Sequence, residues 1–350
     1  MKLIKILFVL LLLSAGALAG VSYWLYNTLH TPIKHDKAES FITIEKGSSP
    51  NKILGQLTTE GVLKNPTATQ IYLRTFGDAS KLQAGEYQFP SPISPIELLD
   101  ELSKGKERTI KLTIPEGWTR FEIAKRVAAK FPAQPVMDEK AVLALMNDTT
   151  LIRDFDRKAK NLEGYLYPTT YNFPIGTEPK EVIERMVAQF KKTWKPEWTL
   201  DAQKLGKSNH EIVTIASLIE NESKFAKERR IVSSVIYNRL NRSMALGIDA
   251  TNVYIAKLRG KWDGIIHKSD IEIDHPYNTR KISGLPPGPI SSASESALEA
   301  ALNPAKTDYL FYVLNVDNND GSHNFYESAS GFEKGKKKYQ KWLAEQRRKK

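Results

Sequence analysis

The chain has 350 residues, 41% hydrophobic and 26% charged, which is enough apolar material for about two cored domains and too little charge bias for wholesale disorder. It contains no cysteine, so disulfides, cysteine-ligated zinc, iron–sulfur clusters and a thiolate nucleophile are excluded. The formal net charge of +11 suggests nucleic acid until it is located: Lys334 to Lys350 holds nine Lys or Arg against Glu345 alone, leaving only +3 for the other 333 residues. Such a terminal run reads as a solvated basic tail, with anionic lipid or another polyanion as the sharper possibility.

From Ile6 to Tyr26 the chain carries no charge, and 21 helical residues rise ~31 Å, the thickness of a bilayer's hydrocarbon core. Lys2 and Lys5 precede this stretch, and Tyr23, Trp24 and Tyr26 close it, as expected of a cytoplasmic anchor with an interfacial aromatic belt. The competing reading is a secretory signal cleaved near Ala17-Leu18-Ala19. Either way the remainder is exported. Asn27 to Ser40 is polar, contains Pro32 and reads as a linker of at most ~50 Å when extended.

A faint internal repeat follows. Ile44-Glu45-Lys46-Gly47 with Ile53 and Leu57 recurs 70 residues later as Ile114-Pro115-Glu116-Gly117 with Ile123 and Val127. Each copy predicts a strand, a glycine turn and an amphipathic helix, with Ser48 or Ser49 as the cap of the first. A second helix over Ala68 to Thr75 and a returning strand from Gly85 to Phe89 complete the order strand, helix, helix, strand. In order and length this resembles a LysM module, which binds N-acetylglucosamine-containing glycans; a purely structural spacer has the same order. A further helix through Leu98, Leu99 and Leu102 precedes a second unit beginning near Arg108.

Ile212 to Ile219 is apolar nearly all round and predicts a helix buried on most faces, running straight into Glu220. Glu220 shares a helical face with Val213, Ala216 and Ser217, two of them small, which would leave room there for a ligand. A carboxyl desolvated at the end of such a helix is expected to hold its proton toward neutral pH, the requirement on a general acid. The plainer alternative is an end-cap or an ion-pair partner for Arg229 or Arg239. Glu222 lies two residues on, so only one of the two faces a given cleft. Downstream, a helix from Arg230 to Arg242 is followed by Asp249 in a loop after Gly247, by Tyr277-Asn278-Thr279, and by the stiff turn Gly284 to Pro289. Neutral polar groups beside a glutamate suit sugar hydroxyls better than a metal, although each alone is also an ordinary turn or capping residue. No metal site is expected: His210-Glu211 continues as Ile-Val-Thr, so the HExxH pattern fails.

Several ordered motifs together resemble the endolytic murein transglycosylase (YceG-like) family: Leu162-Glu163-Gly164-Tyr165-Leu166-Tyr167-Pro168, Ala216 to Glu222, Val235 to Leu240, Tyr277-Asn278-Thr279, Gly284 to Gly288, Asn303 to Thr307 and Gly321 to Phe325. The resemblance implies a single-pass protein of the bacterial inner membrane whose periplasmic part cuts peptidoglycan strands internally. It places the catalytic glutamate on Glu220 and substrate-binding roles on Asn238, Asp249, Tyr277 and Asn278, with no cofactor. Glu222-Ser223 mimics the Glu-Ser motif of another lytic transglycosylase group and makes Glu222 the rival. The implied partners are glycan strands, the membrane and cell-wall synthesis enzymes, and no nucleic acid. Two departures stand out: Ile248-Asp249-Ala250-Thr251 replaces the usual Thr-Asp-Pro-Thr, and Arg280 replaces an aromatic.

One carboxyl suffices for this chemistry. It protonates the oxygen of the MurNAc-GlcNAc bond, then takes the proton of the muramic C6 hydroxyl as that oxygen closes on C1, leaving a 1,6-anhydro end. A hydrolytic muramidase using Glu220 with Asp249, and a non-catalytic wall-binding scaffold, are the alternatives. The expected architecture is α+β: residues 1–26 as cytoplasmic N-terminus and membrane helix, 27–40 as linker, 41–107 as the LysM-like unit, 108–333 as a mixed catalytic domain and 334–350 as the tail.

Overall fold

The computed structural model describes residues 2–105, 109–133 and 135–348, divided into two compact units: Met1–Ile110 with Asn172–Ile175, and Lys111–Tyr171 with Gly176–Lys350. The boundary expected at 107/108 falls outside the described residues.

The first unit opens with α1 (Lys2–His30). Within Lys5–His30 the most apolar 18 residues have mean hydropathy 2.2, and among the described residues this is the one helix long and apolar enough to cross a membrane. The apolar side chains of Ile6 to Leu13 are open to the surroundings, an arrangement that water does not favour. The stretch read as a linker is not slack. α1 continues to His30, Leu29 is buried, Ile33 bridges Ile93, and the His35 amide donates to Ser91 Oγ at 2.9 Å. Its backbone groups find partners in the chain after residue 87, which binds the segment to the unit.

Beyond it lie β1 (Ile42–Ile44), α2 (Pro50–Thr59), α3 (Pro66–Thr75), β2 (Gly85–Tyr87) and α4 (Pro95–Lys104). β1 and β2 pair antiparallel, Ile42 opposite Tyr87 and Ile44 opposite Gly85. All three helices start on proline behind a capping side chain, Ser49, Asn65 and Ser94, which satisfies an otherwise orphaned amide. Ile44, Leu54, Leu57, Tyr87, Phe89 and Leu98 form the centre of one apolar core. The order of strands and helices is as expected from the sequence.

The second unit contains most of β3 (Thr109–Thr113), then α5 (Arg120–Lys130), α6 (Glu139–Leu145), part of β4 (Thr170–Pro174), α7 (Pro179–Thr193), α8 (Pro196–Lys204), α9 (Asn209–Glu222), α10 (Ala226–Asn241), α11 (Asp249–Leu258), α12 (Lys268–Glu272), α13 (Glu295–Leu302), β5 (Phe311–Leu314), β6 (His323–Tyr326) and α14 (Ala329–Arg348). β3 pairs with β4 and β5 with β6. The 70-residue repeat has a local structural basis: Gly47 (φ +81°) and Gly117 (φ +74°) make the same left-handed turn, and the caps Ser49 and Thr119 are also 70 apart. α9 is the axis of this unit. A Ser208–Glu211 capping box starts it, every residue from Ile212 to Ile219 is buried, and α8, α10, α11 and α13 pack around it.

One expectation gains detail here and one changes. As far as Arg348 the basic tail is the C-terminal part of α14, which lies on β5 and β6 with the Phe332 ring stacked on Phe311 at 5.2 Å. Phe332, Tyr339, Trp342 and Leu343 fall on one helical face, opposite Lys334, Lys337 and Lys341, so the tail is amphipathic and keeps its charges in solvent. Asp249 is the first residue of α11 rather than a loop residue, where its charge complements the helix dipole.

Gly164 fixes the approach of the proline-rich turn to α9. Its φ is +82°, and a Cβ there would lie 2.5 Å from Pro289 Cβ and 3.0 Å from Val213 Cγ1. Gly164→Ala should therefore cost on the order of 3 kcal/mol, read as a lower urea midpoint at unchanged slope. A midpoint equal to that of the parent would show that this contact is not needed.

Candidate active site

The stripe of Val213, Ala216 and Ser217 is not open to a ligand. The chain from Gly288 to Ser294 lies over it: the Ile290 amide donates to Ser217 Oγ at 3.1 Å, Asn221 Nδ2 to Ser291 Oγ at 2.7 Å, and the Ser294 amide to Glu220 Oε2 at 2.8 Å. The small residues admit main chain, not substrate.

Glu220 is consequently enclosed, with its side chain 5% exposed, and every partner is a donor. Arg229 Nη2 reaches Oε1 at 2.8 Å while Ser294 donates from both amide and hydroxyl to Oε2. Arg229, itself 8% exposed, also donates to Ser294 Oγ and Ser296 Oγ, and Glu116 lies 3.9 Å from it on the exposed side. Glu220 is thus the ion-pair partner of Arg229 that the sequence offered as the plainer alternative.

Glu222 points elsewhere. With Gly117, Thr119, Asn221, Asp249, Tyr254 and Lys257 it lines a cavity of about 330 Å³, which Glu220 does not line. Its Oε2 accepts from the Tyr312 phenol at 2.5 Å. Burial pushes the Glu222 carboxyl above the usual range and the Asp249 charge adds to this, against the Tyr312 hydrogen bond and the charges of His323 and Arg239. Asp249 is half exposed and its Oδ1 accepts from Arg280 Nε at 2.7 Å, so the arginine neutralises part of this wall.

The other expected site residues support the walls from behind. Asn238 Nδ2 donates to the carbonyls of Thr307 and Tyr309 at 2.7 and 2.9 Å, tying the segment before β5 to α10. Asn278 is fully buried; its Nδ2 donates to the carbonyls of Ile271 and Ile273, and its Oδ1 accepts from the Arg280 amide. Tyr277 packs its ring 5.0 Å from that of Tyr254, and burial pushes its phenol up to about 12. Thr279 accepts from the Ile248 amide through Oγ1 and so sets the start of α11. Of the six residues named from the sequence, the rival included, the cavity receives Glu222 and Asp249.

Tyr312, Lys257 and Tyr254 were not anticipated. Tyr312 comes from a strand ninety positions away, with no local pattern to mark it. Gly117 and Glu163 were visible, in the repeat and in the Leu-Glu-Gly-Tyr motif. Glu163 is 2% exposed, accepts from the Arg120 amide through both oxygens at 3.1 and 3.2 Å, and takes a hydrogen bond from Tyr254. Burial raises its carboxyl to about 7, against those bonds and the charge of Arg120.

Two outcomes follow. The raised Glu163 carboxyl binds its proton more tightly folded than unfolded, so stability falls as pH rises from its unfolded value toward about 7, by roughly 3 kcal/mol. Glu163→Gln should flatten that slope in urea unfolding between about pH 5 and pH 8; an unchanged slope would contradict it. Arg229→Met should cost about 3–5 kcal/mol because it strands a buried carboxylate, and Glu220→Gln in the same chain should recover part of the loss. Additive losses in the double variant would argue against the pair.

Residues 42–338 match the YceG-like family. The chain is 34% identical over 340 residues to an endolytic murein transglycosylase of Bacillus subtilis (strain 168), covering 91% of this chain and 90% of that protein. It is 33% identical to one of Streptococcus pneumoniae serotype 2 (strain D39), covering 89% of this chain and 61% of that protein. A crystal structure of a YceG-like protein from Listeria monocytogenes aligns with a TM-score of 0.57 at 32% identity, covering 84% of this chain and 97% of that one.

Proposed function

The chain belongs to the YceG-like family, and on that footing we infer that it is a peptidoglycan lytic transglycosylase in which Glu222, rather than Glu220, carries the proton. The observation behind the choice is that Glu222 alone of the two glutamates lines the cavity, with burial and Asp249 raising its carboxyl, while Glu220 is occupied by Arg229 and Ser294. Protonated Glu222 donates to the glycosidic oxygen between MurNAc and GlcNAc as the bond to C1 breaks. The carboxylate left behind takes the proton of the muramic C6 hydroxyl, whose oxygen closes on C1. Asp249 supplies negative charge across the cavity for the oxocarbenium-like transition state, moderated by Arg280. Tyr312 orients Glu222, and Asn238, Tyr277 and Asn278 act as positioning residues for the walls.

A hydrolytic route deserves statement because both carboxyls line one cavity: Asp249 could then activate water. The guanidinium already on Asp249 Oδ1 disfavours a base there. The first unit, by its order of strands and helices, is read as a LysM-like glycan holder. α1 is read as the inner-membrane anchor that keeps the catalytic unit on the periplasmic side, near nascent strands and the enzymes that make them.

The test is incubation of purified glycan strands with the full-length protein, followed by mass spectrometry. New ends should lie about 18 mass units below hydrolysed ends and take no label from heavy-oxygen water. Glu222→Gln should lower the rate by at least ~10²-fold with the urea midpoint kept, whereas Glu220→Gln should act mainly through stability. Full activity in Glu222→Gln would return the role to Glu220, and labelled ends would favour hydrolysis.

A further inference from the structure

The second unit has another pocket, at the opposite end of α9 from Glu222. It encloses about 300 Å³ between the Phe155–Lys158 turn, α8 and the first turn of α9, and its walls include Phe155, Arg157, Lys158, Thr199, Gln203 and Lys207. The separation from Asn209 to Glu222 corresponds to about 20 Å of helix.

Charge is what distinguishes this pocket. Asp156 accepts from the Tyr165 phenol, from the Lys158 amide at 2.8 Å and from His210 Nδ1 at 2.6 Å, while His210 Nε2 meets the Pro287 carbonyl at 2.9 Å. Both ring nitrogens face acceptors, an arrangement fully satisfied when both carry hydrogen. The imidazolium and the Asp156 carboxylate then cancel, and Lys207 faces Glu211 at 3.5 Å. Arg157 and Lys158 are left over: among the described residues neither side chain has an ion-pair or hydrogen-bond partner, and both are exposed at the rim. The net field is therefore positive, and Arg157 offers the planar fork that suits a carboxylate. The remaining walls suit a peptide: Thr199 Oγ1 already accepts from Asn209 Nδ2 at 3.3 Å and Trp194 Nε1 at 3.0 Å, which leaves its hydroxyl hydrogen, the Asn209 carbonyl oxygen and the Gln203 amide for peptide groups, and Phe155 is an apolar surface held edge-on by Tyr165, Phe190 and Trp194.

We propose that this pocket is a second substrate site that takes a carboxylate-bearing peptide carried by the glycan strand. The proposal rests on peptidoglycan being the substrate, whose stem peptides end in carboxylates. The lactyl carboxylate of MurNAc shares that chemistry, but a bare lactyl group would leave the amide partners and Phe155 unused.

Full-length Glu222→Gln protein in detergent, with mass spectrometry after each titration to confirm that the strands are intact, is titrated with three probes: stem-bearing strands, strands stripped of stems by an amidase so that only lactyl carboxylates remain, and neutral chito-oligosaccharide. Arg157→Glu with Lys158→Glu should weaken binding of stem-bearing strands about tenfold, remove most of its salt dependence and leave the neutral probe unchanged. Equal losses for stem-bearing and stripped strands would overturn the peptide assignment in favour of the lactyl group. No loss for any probe, or equal loss that includes the neutral one, would overturn the site. Since no cleavage is read, failure of the wild-type protein to cleave would overturn the transglycosylase reading and leave this binding result standing.

Discussion

A carboxylate cannot follow eight consecutive buried residues without donors brought to it, and much of the second unit is arranged to bring them to Glu220. Arg229 comes from α10, and Ser294 is the N-cap of α13, where its Oγ also accepts the Ala297 amide. One carboxylate thereby joins the end of α9 to the starts of two other helices. The chain leading into Ser294 is drawn along α9, with Ile290 and Ser291 held on the way by Ser217 and Asn221. Removing any single donor exposes the full desolvation cost of the charge, which is why the pair reads as structure rather than as chemistry.

The same geometry separates the two glutamates. Two residues along a helix turn the side chain by roughly 200°, so a fixed Glu220 sends Glu222 to the other side of the last turn, toward α11 and β5. There it meets an environment poor in donors: one phenol, an acidic neighbour across the cavity, and the charges of His323 and Arg239 farther back. Position, not residue type, divides the roles. The first carboxylate is tied to the starts of two neighbouring helices; burial pushes the second toward its protonated form, as the proposed acid requires.

Much of this arrangement was legible where the signal is local. The apolar run from Ile212 to Ile219 declared a buried helix, the glycines at 47 and 117 declared turns, and Ser48 or Ser49 declared the cap of the first copy's helix, whereas the left hand of both turns and the Thr119 cap of the second emerge only in the structure. What could not be read was the partner of each polar group. Asn238, Asn278 and Thr279 have the composition of a sugar cleft, yet their hydrogen bonds are spent on backbone carbonyls and amides that only the tertiary fold brings near. Arg229 was named as a candidate partner of Glu220, but sequence spacing does not reveal that Ser294, seventy-four positions away, completes the cage and closes the space a ligand would need. The charge count of the tail likewise hid its 3.6-residue apolar period, because seven Lys or Arg dominate a helix in which Phe332, Tyr339, Trp342 and Leu343 share one face.

The revised link between α1 and the first unit changes what an anchor would do. A free 14-residue linker would let the unit roam over tens of ångströms, whereas a helix that runs on to His30, buries Leu29 against the unit and is followed by the Ile33–Ile93 bridge leaves almost no slack. If α1 crosses a bilayer as proposed, the first unit is held at the membrane surface by a helix continuous with the anchor. Loose tethering raises the effective concentration of every nearby strand, but a stiff junction also fixes the height and orientation of whatever that unit holds. A glycan gripped by the first unit would then be presented at one distance from the bilayer, so the reach of the enzyme along nascent strands would follow from the junction as well as from the cavity that contains Glu222.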